Sequence, residues 1–549
     1  MKGSVVGQLA WSLGVICTAT WPFAQAVRSA GVQDQQVLRV TTHLVEVHVV
    51  VHDKQGAPVE GLTRGDFTVV DNGKEEQISV FSVESNRRMQ EPIEPLPPNI
   101  FSNRVARQGG IPTNVAVILL DGLDTTFWDL AYARRQLIKL LTQLQPQDRV
   151  ALYFLGRQLS VVQDFTGDPS PLLEALRRYR PQTAAQLASN VQTPAMQDRF
   201  EGLSGLAAVA ATQLDAGMTV LMLMDESVRQ YSAERVLDAL LAIAEHLSGL
   251  PGRKSLVWIA GEIYLPLQDN PHLSDKRRRL ILTLNHADVA IYPIDARGLF
   301  IDPDFHAEDH DFAHFDRGEH GRALDAMNFA IFAANYIARE TGGRAFYNTN
   351  DLRTAMRTAL GDSEVTYTLG YYPSHAKWDG EFRPIKVLVN RKDVEVRHRH
   401  GYYARTALPV ENADPIALLK DAAENPLDAT GIGLTVRARP RDGAADQVEI
   451  AVNVDARDLT FQPVKGLWTV RFDTWVGQYS NKGASLEGVS KTTSADLKEE
   501  TYLKILREGG VSLTFEERIK PGAQELRVAV RDAASGSVGS VRIPLADLH

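Results

Sequence analysis

Residues 113–126 read TNVAVILLDGLDTT, and this stretch decides the fold. Val115 to Leu120 is an apolar run with the length of a buried strand. It breaks into Asp121, Gly122, Leu123, Asp124, Thr125 and Thr126, after which Leu130, Leu137, Leu140 and Leu141 fall at helical spacing. A buried strand that ends in oxygen-bearing side chains just before a helix is where open α/β sheets place ligands. Asp121 and Thr125 supply a carboxylate and a hydroxyl of the kind that Mg²⁺ or Mn²⁺ takes, and Asp124 adds a further oxygen. The competing reading is structural, with Asp121 capping the helix or tying the loop.

Outward from this stretch, residues 113–362 alternate strands and helices. Arg149–Leu155, Gln158–Phe165, Leu256–Gly261 and Val289–Ala296 read as strands, with Ala345–Tyr347 as a short one. A helix starts at Pro171, and others span 324–341 and Asp351–Leu360. Ser232 can cap a helix whose apolar face is Val236, Leu240, Ile243 and Leu247. The alternation predicts an α/β fold, a doubly wound parallel sheet with helices on both faces. Residues 180–230 are rich in Ala, Gln and Met and read as a helical insertion.

The flanks are β. In residues 36–86, Val45, Val47, Val49 and Val51 alternate along one strand face, and Asp71-Asn72-Gly73 signals a hairpin. This reads as a small, immunoglobulin-like β domain. Residues 87–112 are rich in Pro, Arg and Gln and read as a linker. A β extension occupies 363–405, and six alternating runs within 426–549 predict a C-terminal β-sandwich.

At 549 residues the chain exceeds one core and predicts several domains. Net charge is −9, which argues against a broad nucleic-acid interface, since that needs a basic face. Lys2, the apolar run Val5–Ala19 and the small-residue pair Ala24 and Ala26 read as a signal peptide over residues 1–26. Export to the periplasm or the exterior follows as an expectation. The single cysteine, Cys17, falls inside that segment, so the mature chain is expected to hold no disulfide. No later run has the length of a transmembrane helix.

A second candidate metal site is His306, His310 and His314, which a helix would align on one face for Zn²⁺ or another transition metal. Its competing reading is a solvated acidic loop. The chain has no G-x-S-x-G elbow, no G-x-x-x-x-G-K-[ST] phosphate loop and no H-E-x-x-H pair. Leu250–Ile259, LPGRKSLVWI, lacks the first glycine of such a phosphate loop.

Several stretches follow one another in order: GLTRGDF (61–67), LLDGLDT (119–125), LPGRKSLVWI (250–259), YPIDARGL (292–299), TGGRAF (341–346), YTLGYYP (367–373) and GYYA (401–404). Together they resemble the secreted von Willebrand factor A-related family known mainly from acidobacteria, over roughly residues 38–405. The resemblance implies a central von Willebrand factor A-like domain and the remnant of a metal-ion-dependent adhesion site. In that motif the first loop is Asp-x-Ser-x-Ser; here Leu123 replaces the first Ser and Thr125 stands for the second. The third loop's Asp is expected near Ala260, and Glu262 is the nearest carboxylate. The expectation is a secreted or envelope interaction module that binds a protein or cell-surface ligand without catalysis. Its degenerate site would be Asp121, Thr125, Asp124 and Glu262. The alternatives are a metal-dependent hydrolase built on the histidine cluster and a metal-free envelope scaffold.

Overall fold

A computed structural model describes residues 43–85, 96–104, 115–178, 214–299, 317–404 and 414–548, apart from 124, 146–147, 264, 266–270, 363, 376, 442 and 482. The signal segment and His306, His310 and His314 lie outside the described residues, as does Asp124.

The chain opens with β1 (Val45–Asp53), β2 (Phe67–Asp71), β3 (Lys74–Glu76) and β4 (Ile78–Ser85). The expected hairpin joins β2 to β3. Asn72 and Gly73 both take positive φ, 48° and 83°, as a two-residue turn matched to strand twist requires. A short β5 (Ile100–Ser102) precedes the central unit. That unit runs β6 (Val115–Asp121), α1 (Phe127–Leu141), β7 (Arg149–Leu155), β8 (Leu159–Thr166), α2 (Pro169–Arg178), α3 (Leu214–Leu247), β9 (Lys254–Ala260), α4 (Pro271–His286), β10 (Val289–Asp295), α5 (Arg317–Thr341) and α6 (Leu352–Gly361).

Its sheet has the order β10-β9-β6-β7-β8. The first four strands are parallel and fully buried apart from the first residue of β7, as strands covered on both faces are. The fifth, β8, is antiparallel to β7. The all-parallel expectation fails there because only Gly156–Gln158 join the two strands, and a parallel return needs a long crossover. Alternation sorts the strand residues onto two cores. Val117, Leu119, Trp258 and Ile291 pack with α3, α4 and α5. Ile118, Leu120, Val257, Ile259 and Tyr292 pack with α1, α2 and α6. Helices therefore cover both faces.

Ser232 is not a cap. Helix α3 begins at Leu214, which puts Ser232 in its interior and 218–224 within the helix. The face Val236, Leu240, Ile243 and Leu247 is buried as its spacing required.

After α6 the chain returns to β11 (Val365–Tyr371), β12 (Phe382–Val389), β13 (Val394–Arg397) and β14 (Gly401–Tyr403). These do not extend the α/β unit. They pair with β1–β4 in two four-stranded sheets, β13-β1-β11-β4 and β14-β12-β2-β3, around one core. Residues 36–86 and 363–405, read as separate pieces, thus build one discontinuous sandwich with the α/β unit inserted between its halves. The reason is visible in the strands: β1 buries Val45, Val47, Val49 and Val51 against apolar residues that only the second half supplies, Tyr367, Leu369, Ile385 and Val387. Asp71 closes this core, accepting hydrogen bonds from the Tyr371 hydroxyl at 3.0 Å and the Tyr402 hydroxyl at 2.8 Å.

Helix α7 (Pro415–Glu424) leads into β15 (Leu434–Arg441), β16 (Ala444–Val454), β17 (Gln462–Val464), β18 (Leu467–Tyr479), β19 (Ser485–Leu497), α8 (Glu499–Glu508), β20 (Val511–Arg518), β21 (Glu525–Asp532) and β22 (Val538–Pro544). They form a sandwich of the sheets β20-β16-β15-β5 and β17-β18-β21-β22, with β19 also on β18. The linker reading is corrected in part, because β5 lies within it and adds an edge strand to this sandwich. Asn103 fixes that strand. Its side-chain amide donates to Ala429 O at 2.7 Å and Ile432 O at 2.8 Å, and its carbonyl accepts from Leu434 N–H at 2.8 Å. Asn103→Ala removes the partner of Ile432 O and of the Leu434 N–H, while Ala429 O keeps the Ser540 N–H at 2.9 Å. It should destabilise the sandwich by about 2 kcal/mol and raise amide exchange along β15, which hydrogen-exchange mass spectrometry would read.

Candidate functional site

In an open α/β sheet the crevice lies where neighbouring strands send their loops in opposite directions. Here β6 stands between β7 and β9, so the carboxyl ends of β6 and β9 bound that crevice. Asp121 ends β6 and is fully buried. It lies on the same face as Leu119, whose cross-strand partner is Trp258. The Trp258 indole donates to Asp121 Oδ2 at 3.1 Å, and the Leu123 N–H donates to Oδ1 at 2.9 Å. The Gly122 N–H donates to Leu155 O at 2.8 Å, which anchors the loop to β7.

Thr125 is also buried, and its hydroxyl accepts the Gly261 N–H at 2.7 Å. This bond crosses the crevice from the β6 loop to the β9 loop. Thr126 caps α1, accepting from Asp129 N–H at 3.2 Å. The structure therefore brings Asp121 and Thr125 together with the Ala260-Gly261 turn. Each of the two side chains accepts an N–H from the protein itself.

The sequence reading missed the neighbouring strand end. Asp295 closes β10, and its carboxylate receives Arg297 Nε at 3.0 Å and Nη2 at 2.7 Å, with the Arg297 main-chain N–H at 2.9 Å. Hydrogen bonding to Asp295 raises the Arg297 pKa above its ordinary value, and the charges of Asp295, Glu262 and Asp129 raise it further. Glu262 thus lies within electrostatic reach of that guanidinium. The signal was present in YPIDARGL: an acid at the end of a buried strand, the pattern that singled out Asp121.

Exposed apolar side chains flank this charged ground. Trp128, in the first turn of α1, is 78% exposed, and Leu299 is 54% exposed. One turn beyond Trp128, the Tyr132 hydroxyl donates to Asn350 O, while Asn350 Oδ1 accepts the Leu299 N–H at 2.9 Å. Helix α1, which carries Trp128, and the loop that carries Leu299 are thus both tied to Asn350.

No family model and no curated protein matches the chain. Among solved structures it is similar to a von Willebrand factor type A protein from Catenulispora acidiphila, at 10% identity and a TM-score of 0.25, over 85% of this chain and 74% of that one. It is also similar to an aerotolerance-related membrane protein from Bacteroides fragilis, at 14% identity and a TM-score of 0.24, over 45% of this chain and 98% of that one. BatB from Bacteroides thetaiotaomicron is similar at 14% identity and a TM-score of 0.20, over 45% of this chain and 98% of that one. Among the described residues no helix is long and apolar enough to cross a membrane, and no group of three or more His, Cys, Asp or Glu can hold a metal ion.

Proposed function

We propose that the chain is a binding module of the exported cell envelope, built on a von Willebrand factor A-type domain, that engages a partner protein at the carboxyl end of its central sheet. The observation that carries this reading is a hydrogen-bonded polar set (Asp121, Thr125, Asp295, Arg297) at the carboxyl ends of β6 and β10, with Trp128 and Leu299 exposed on the segments that follow those two strands. Aromatic anchors rimmed by charge are what binding hot spots consist of.

The binding is independent of metal. Asp121 and Thr125 already accept N–H groups, and the turn at Ala260-Gly261 brings no carboxylate. Mg²⁺ takes a convergent set of oxygens, and of the expected ligands the described residues bring together Asp121 and Thr125 alone. Arg297, held by Asp295, supplies the positive charge there instead.

The test places a photocrosslinking residue at Leu299 in cells that make the protein. A discrete adduct with a second protein is expected, insensitive to EDTA. Trp128→Ala should weaken the purified complex on the order of 30-fold, as loss of a hot-spot residue does. The same crosslinker at Leu503, exposed on α8, should give no such adduct. An adduct that forms equally at Leu503, or that ignores Trp128→Ala, would sink the reading; one that EDTA abolishes would restore the metal.

A further inference from the structure

A second surface lies at the β10 edge of the same sheet. Beyond β10 the chain returns as an extended segment at Ala345–Tyr347. The Phe346 N–H donates to Pro293 O at 2.8 Å, and the Asp295 N–H donates to Phe346 O at 2.9 Å, so Phe346 bridges to β10 in parallel. Side chains alternate as they should in a strand: Ala345 packs on one core of the sheet and Phe346 on the other. Main-chain groups alternate too. Those of Phe346 face β10, while those of Ala345 and Tyr347 make no hydrogen bond to another described residue. An open edge of this kind is a template for a further strand.

The edge borders a cleft of about 750 Å³, within the size range of ligand sites. Its walls are the carboxyl-terminal half of α5, the start of α6 and strand β13. Three guanidinium groups line it, from Arg339, Arg344 and Arg397, against the carboxylates of Glu395 and Asp351. Asp351 is engaged as the cap of α6, accepting from Thr354 N–H at 3.0 Å. Arg397 is committed to buried Asp362. Arg344 is half exposed, lies 5.5 Å over the Phe346 ring and meets Glu395 only at 3.8 Å. Its donors are therefore open to a ligand. Tyr347 adds an exposed ring, with its hydroxyl 3.3 Å from Asn335 Nδ2.

The geometry points to an extended, acidic segment of a partner protein as the occupant: we propose that it adds a strand along Ala345–Tyr347 and sets a carboxylate against Arg344, while Arg339, engaged with His400 Nε2, adds positive charge to the wall. Main-chain bonds to the edge give affinity, and the guanidinium groups select acidic side chains. Placement beside the extended segment requires the chain to lie close to β10 first, and Gly343 permits this. A Cβ there would stand 1.9 Å from Ile291 O.

The probe is a short fluorescein-labelled peptide of alternating glutamate and valine, titrated into the full chain and followed by fluorescence anisotropy. Its lysine–valine counterpart is the control. The acidic peptide should bind and the basic one should not, with affinity falling as salt rises. Arg344→Glu, a change at an exposed side chain, should weaken binding at least tenfold. Tyr347→Pro, which removes an outward N–H, should do the same, and Trp128→Ala should leave binding unchanged, separating this cleft from the crevice. Arg441→Glu, at an exposed arginine of the C-terminal sandwich, should have no effect. No binding of the acidic peptide, equal binding of both peptides, or indifference to both cleft variants would overturn the proposal. So would self-association of the free chain that Tyr347→Pro abolishes, since a second copy would then be the occupant.

Discussion

Asp362→Asn should lower the stability of the chain by about 3–5 kcal/mol, the range for removing one partner of a buried ion pair. Asp362 follows α6 and is 1% exposed. Its Oδ2 accepts the Tyr292 hydroxyl at 2.6 Å and an Arg397 N–H, and His52 Nε2 lies 3.4 Å from Oδ1. Tyr292 belongs to β10, Arg397 to β13 and His52 to β1. One carboxylate thus joins the inserted α/β unit to both halves of the discontinuous sandwich. Asparagine keeps the shape and removes the charge. Arg397 is then left with His52 Nδ1 at 2.9 Å and with the exposed Glu395 at 3.4 Å. Burial lowers the His52 pKa, more than the Asp362 charge raises it, so the imidazole is neutral, its Nδ1 accepting from Arg397, and it cannot replace the lost anion.

Urea unfolding of the single variants and of Asp362→Asn with Arg397→Met gives the decisive comparison. Each single change strands a buried charge or its partner, whereas the pair removes both, so the double variant should be more stable than the sum of the two losses implies. Strict additivity would mean that the two groups are not coupled.

The central sheet was readable because its strands are continuous apolar runs and its helices carry clean apolar faces. Val115–Leu120 and Leu256–Ile259 are buried on both sides and show no alternation to misread. Strand β19 was invisible for the opposite reason. SLEGVSKTTSADL is mostly solvent-facing, and among the described residues its strand partner is β18. The joint sandwich was hidden as well, since periodicity reveals which face of a strand is buried but not which distant strand buries it. Strands β1 and β11 pair across an insertion of more than 200 residues, as His48 opposite Thr368 illustrates. At the candidate site, Asp121 and Thr125 were legible from the strand end alone. Their hydrogen bonds to Trp258 and Gly261 were not, because both come from β9 and its loop. The basic pair of LPGRKS received no role from the sequence beyond failing as a phosphate loop. In the structure Arg253 and Lys254 are buried at the amino end of β9, where Arg253 donates to Gly342 O at 2.5 Å.

Lys254 gives the second large expected effect, a rise of stability with pH in the alkaline range. Its side chain is 1% exposed, and Nζ donates to Leu250 O at 2.7 Å. Burial lowers its pKa from 10.5 to about 8, against the opposing pull of Asp288 and Glu84. The folded chain therefore loses this proton near pH 8, while the unfolded chain keeps it until about pH 10.5. Between those values the unfolded state binds more protons, so unfolding free energy increases with pH. Below pH 8 the full penalty of a buried ammonium is present, and it is relieved as the folded group deprotonates. The shift corresponds to about 3 kcal/mol across the window. Buried tyrosines act in the opposite sense above pH 10: burial raises the pKa of Tyr292 and of Tyr371, so the unfolded chain ionises first. Lys254→Met cancels that contribution, since both proteins carry the same tyrosines. Subtracting the variant's unfolding free energy from that of the parent should give a difference that grows in favour of the parent by about 3 kcal/mol between pH 7.5 and 10.5. A flat difference would show that Lys254 is already neutral when folded or reaches water. The ammonium then would not be the strained element at the base of β9, and the Leu250 carbonyl would be the whole reason for a lysine there.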